Sequence, residues 1–196
     1  ILRLSKEGGW TVAGQVANIL GMLVLVRVLT EYLNLAEYGE LALGLTLASL
    51  VSTVVIGGII NGVGRFYSIA VEKNKLYDYL KASSQLFIYA TFTVGAIAIV
   101  IVTVMLLLQK EQWLNLLFLL LVFSVLSGIN AVLIEIQNAA RLRYSVAMHN
   151  TVNSWLKIGL AAGMIVLFGS STIAVISGYV LALLIVTISQ LLSLKS

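Results

Sequence analysis

Asn150, Asn153 and Lys157 recur at i, i+3 and i+7 in the otherwise apolar run NTVNSWLKIGLAAGMIVLF. On an α-helix that spacing puts two amides and an ammonium on one face. The ammonium would neutralise an anion, and the amides would donate to and accept from hydroxyl groups. Thr11, Gln15 and Asn18, at i, i+4 and i+7, draw a second polar line through GWTVAGQVANILGMLVLVRVLT. Arg27 and Arg65 stand at the ends of apolar runs, and an arginine fork grips a phosphate in a way lysine cannot. Glu135 is an acid inside an apolar run, able in principle to take a coupling proton or sodium ion, or to form a structural ion pair with Arg141, Arg143 or Lys157.

Polar groups so placed matter because the rest of the chain is hostile to them. Its 196 residues are 60% hydrophobic and 10% charged, with a mean hydropathy of +1.05. A soluble domain carries about 25% charged residues, so the composition fits an integral membrane protein. The apolar runs are continuous, without the alternation of a barrel strand. An all-α bundle is expected. Cysteine and proline are absent, which excludes disulfides, thiolate catalysis and thiolate metal sites and leaves glycine to supply helix breaks. With one histidine and no nucleophile–base set or phosphate-binding loop, the reading is a non-enzyme with no cofactor and no metal site.

Six spans are expected, at about 9–30, 41–64, 82–108, 113–138, 150–168 and 172–194, forming a single lobe over 1–196. The run at 9–30 is too long for a signal peptide and lacks a cleavage site, so it reads as a retained first helix. The segment RFYSIAVEKNKLYDYLK at 65–81 suits an interfacial helix or aromatic anchor, and Arg141, Arg143 and His149 a basic loop. Both termini then share one side with Arg3, Lys6, Arg65, Lys73, Lys75, Lys81, Arg141, Arg143 and Lys195. Arg27 and Lys110 lie on the other. Nine basic residues against two place both termini in the cytoplasm of a multi-pass cell-membrane protein. The net charge of +4 therefore reflects topology, not nucleic-acid binding.

On this topology Lys157 lies near mid-membrane, where a lysine costs about 3 kcal/mol unless paired or hydrated. It either lines a substrate cavity, or snorkels to the interface or pairs with Glu135. The glycine pairs Gly58/Gly62 and Gly159/Gly163 suit close helix packing, and the run GGIINGVG would let the second helix bend.

GMLVLVRVLTEYLNLAEYGELAL (Gly21 to Leu43) resembles the first loop of polysaccharide flippases of the multidrug/oligosaccharidyl-lipid/polysaccharide exporter superfamily, through Arg27, Leu29, Tyr38 and Gly39. GGIINGVGRFY (Gly57 to Tyr67) is similar to that family's glycine-led end of helix two. The turn TEYLNLAEYG is longer than the family's and lacks its glycine and proline. The resemblance implies one lobe of a two-lobed transporter of twelve to fourteen helices, completed by a C-terminal lobe or a second copy. It also implies ion-coupled alternating access and an undecaprenyl-diphosphate-linked oligosaccharide as cargo. Lys157 and Arg65 would meet the diphosphate, and Gln15, Asn18 and Asn153 the sugars, with Arg27 a further substrate-binding residue and Glu135 the coupling acid. A cation-coupled drug exporter of the same superfamily would want more membrane carboxylates. A non-transporting scaffold would use the polar lines as hydrogen bonds between helices.

Overall fold

The structure, a computed structural model, describes residues 2–109 and 113–195, with side chains from 9 to 193 except that of Thr11. Seven α-helices make up the described residues: α1 (Leu2–Tyr32), α2 (Leu35–Val55), α3 (Gly57–Glu72), α4 (Leu76–Leu107), α5 (Leu114–Ala139), α6 (Arg143–Phe168) and α7 (Thr172–Lys195). All except α3 contain a stretch long and apolar enough to cross a membrane. The chain is an all-helical, multi-pass membrane protein.

α7 is the axis. Its Val175, Ile176, Ala182, Leu183, Val186 and Gln190 are at most 2% exposed, whereas the outer faces of α1, α2 and α4 are lined with exposed Leu, Ile and Val. A helix apolar all round belongs inside a bundle, and here α5 and α6 enclose it. α1 lies along α6, and α2 and α3 lie along α5. Ser124 anchors α5 to α2 by donating to the Ala48 carbonyl at 3.3 Å.

The helix ends follow from local chemistry. Asn34 starts α2 with a capping box: its side chain accepts from the Glu37 N–H at 2.9 Å, and Glu37 accepts from the Asn34 N–H at 3.2 Å. α3 and α5 close with left-handed residues, Asn74 (φ 55°) and Arg141 (φ 60°). The next N–H in each case reaches back to the helix, Lys75 to Ala70 O and Leu142 to Gln137 O, both at 2.9 Å.

Several boundaries differ from the sequence expectation, with α1 and α2 starting at Leu2 and Leu35 instead of 9 and 41. The expected span 41–64 is two helices, because the chain kinks at Ile56, a fully buried side chain that seats against Gly128 of α5. α3 is amphipathic, with Val63 and Ala70 buried and Asn61, Arg65 and Glu72 exposed, so part of the expected interfacial segment is helical and the rest begins α4. α6 starts at Arg143, not at 150, because the α5 cap turns the chain within three residues; His149 is consequently a buried helical residue.

The expected glycine contacts also fall elsewhere. A Cβ on Gly58, Gly62, Gly159 or Gly163 would meet nothing within 4 Å. Close approach happens at Gly178 against the Ala161 backbone and at Gly14 against Ala147. Glycine spacing marks where helices can meet, and the partner's shape decides where they do.

Candidate functional site

Lys157 stands at the middle of α6, about 21 Å along the axis from Arg143. Its Nζ lies 5.7 Å from the ring centroid of Phe123 on α5 and 5.8 Å from that of Tyr179 on α7. The two rings are 6.3 Å apart and tilted by 43°, so the ammonium faces an aromatic corner made by two other helices. Each ring face attracts a cation by about 0.5–2 kcal/mol, more as water is excluded.

That corner lines an open pocket of about 440 Å³ together with Thr46 and Ser49 of α2 and Ser127, one turn from Phe123 on α5. Thr46 donates to Ala42 O at 2.7 Å and Ser49 to Thr46 O at 2.9 Å. Their protons are spent on their own helix, which leaves hydroxyl oxygens able to accept from a ligand. One cation, two π-faces and several acceptors form a site for a molecule with both an anionic and a hydroxylated part.

The pairing of Lys157 with Glu135 does not form. By helix rise the two are offset by about 15 Å along the bundle. Glu135 instead lies against Gly64 of α3, where any side chain on Gly64 would collide with its carboxylate. Among the described residues the Lys157 ammonium has no carboxylate partner.

The other expected site residues do not converge on Lys157. Gln15 and Asn18 line a separate pocket of about 220 Å³ with Asn138, Arg143 and Asn150. Asn18 also accepts a short hydrogen bond from Ser154, which ties α1 to α6. Thr11, the first residue of that polar line, has its side chain outside the described residues, as do Arg3, Lys6, Lys110 and Lys195. Asn153 buries its Oδ1 without a partner between the two pockets on the α6 stripe. Arg65 is exposed on α3, its guanidinium 5.7 Å from the ring centroid of its neighbour Phe66. Arg27 is at the far end of α1, 3.9 Å from Glu31, both side chains mostly exposed.

Sequence reasoning overlooked a buried polar set on α5, α6 and α7. Asn130 donates to Gln190 Oε1 at 3.2 Å, and the His149 ring bridges Ser145 O (2.8 Å) and Ser189 Oγ (3.3 Å). Gln137 is fully buried with neither amide atom partnered. Asn130 and Gln137 at i, i+7 were the available signal, obscured because each is a single neutral residue in a long apolar run.

Compared with family models, curated proteins and solved structures, the chain finds no match.

Proposed function

We propose that this chain is a lobe of a membrane transporter that moves an anionic, hydroxyl-rich amphiphile between leaflets, with a lipid-diphosphate-linked oligosaccharide as the cargo class. One observation carries the reading: the Lys157 ammonium sits mid-helix beside an open pocket, held by Phe123 and Tyr179 rather than by a carboxylate. A cation that faces aromatic rings has no counter-anion to displace and stays available to an incoming anion, whereas one in an ion pair is already neutralised. In this proposal the diphosphate meets Lys157, and Arg65 and Arg27 act at the two membrane surfaces. The basic turns after α3 and α5 face the cytoplasm of the cell membrane, with both termini on that side. Glu135, against Gly64 and free of a described ion pair, is the coupling acid of this scheme.

The experiment is replacement of Lys157 by Ala and by Arg in cells that need the protein for surface polysaccharide. Loss of polysaccharide in the Ala variant at unchanged protein abundance, with partial function in the Arg variant, is the expected result. Normal polysaccharide in Lys157→Ala would overturn the assignment.

The scaffold reading draws on the Asn18–Ser154 bond, which uses part of the α1 polar line between helices. Single cysteines at Gln15, Asn153 and Lys157, probed with a charged thiol reagent, separate the two readings. The lipid-facing control belongs at Phe118, 66% exposed, because Leu119 packs against the core. Reactivity at Lys157→Cys above that of the Phe118→Cys control favours transport, and equal inertness favours the scaffold. A drug exporter would need a carboxylate at this pocket, and its described lining has none.

A further inference from the structure

The pocket between α1, α5 and α6 was built into no role by the Lys157 site, yet its lining is the more polar. Arg143, Asn138, Asn150 and Gln15 all face it, and no hydrogen bond or ion pair among the described residues occupies their side chains. A guanidinium presents two parallel N–H donors to a phosphate, and carboxamides around it can donate to further oxygens or accept from hydroxyls.

The pocket and the Lys157 site lie along the same two helices. On α6, Asn150 lines the first pocket and Lys157 the second, and between them Asn153 buries an Oδ1 that no donor reaches. On α1, Gln15 and Asn18 line the first pocket and Leu25 the second. A buried acceptor without a donor is costly unless something passing the site supplies one.

We infer that the Arg143 pocket is a loading site for a phosphate group bearing hydroxyls, and that Asn153 leads from it to Lys157. The direction of travel rests on the transport reading; binding at Arg143 does not. With the basic end in the cytoplasm, the pocket opens at the level of inner-leaflet head groups, about 21 Å along α6 from Lys157.

Phosphatidylglycerol, a phosphate carrying two hydroxyls, is a suitable probe, with phosphatidylcholine as the zwitterionic reference. The whole protein is solubilised and titrated with each lipid, and the lipid-bound fraction is read by native mass spectrometry. Phosphatidylglycerol is expected to bind at least tenfold more tightly than phosphatidylcholine. Arg143→Gln should remove that preference, Arg143→Lys should restore part of it, and Arg141→Gln, on the exposed turn two residues away, should leave it intact. Competition by soluble glycerol phosphate identifies a free phosphate as the source, and its failure to compete identifies the lipid. Equal loss in the Arg141 and Arg143 variants, or no preference between the lipids, would sink the loading site and leave the Lys157 reading to its own test. Loss of binding in Lys157→Gln equal to that in Arg143→Gln would reduce the two stations to one and overturn the path.

Discussion

A Cβ placed on Gly178 would stand 2.7 Å from both the N and Cα of Ala161. The bundle axis α7 therefore touches α6 backbone to backbone at this point. The contact lies one residue before Tyr179 and one helical turn beyond Lys157, so it sets how closely the ring approaches the ammonium.

Gly178→Ala should destabilise the bundle by about 1–3 kcal/mol, because the atoms in the way are main chain and cannot rotate aside. Gly159→Ala, on the open side of α6, should be neutral or stabilising by up to about 1 kcal/mol through helix propensity. Reversible unfolding in mixed micelles measures both. Similar losses in the two variants would contradict the close contact.

The aromatic corner can be tested by a double-mutant cycle. Lys157→Met and Tyr179→Leu, alone and together, should reveal a coupling of about 0.5–2 kcal/mol between ammonium and ring. Additive effects would mean that the ring only packs beside the lysine stem.

Gln137 and Gln190 are both fully buried, yet they should respond in opposite directions. Gln137→Leu removes two amide atoms that have no protein partner and should stabilise by about 1–3 kcal/mol. Gln190→Leu strips Asn130 of its acceptor and should destabilise by a similar amount. Thermal unfolding of the two variants decides. Destabilisation by Gln137→Leu would show that its amide is satisfied in the working protein.

The α1–α6 seam should depend little on its polar bond. A cycle between Asn18→Ala and Ser154→Ala should give about 0.6 kcal/mol, the usual value for hydrogen bonds between membrane helices. Gly14→Leu, forced against Ala147, should cost more than either alanine variant.

Hydropathy alone determined that this chain makes apolar helices, because about 20 consecutive apolar residues have few other stable fates in a cell. Helical periodicity likewise grouped Asn150 and Asn153 with Lys157, and those relations are local. The kink at Ile56 was not legible: it arises from a side chain at the end of one helix meeting a notch at Gly128 on another, far away in sequence. Nor could spacing within α6 reveal what satisfies Lys157. Glu135 was the obvious partner by charge, but helix packing offset it and brought Phe123 and Tyr179 instead. Gly58 and Gly178 look equivalent in sequence, and only the approach of Ala161 separates them. Pattern within a helix is fixed by its own residues, whereas which faces meet depends on the shapes of surfaces brought together from distant parts of the chain.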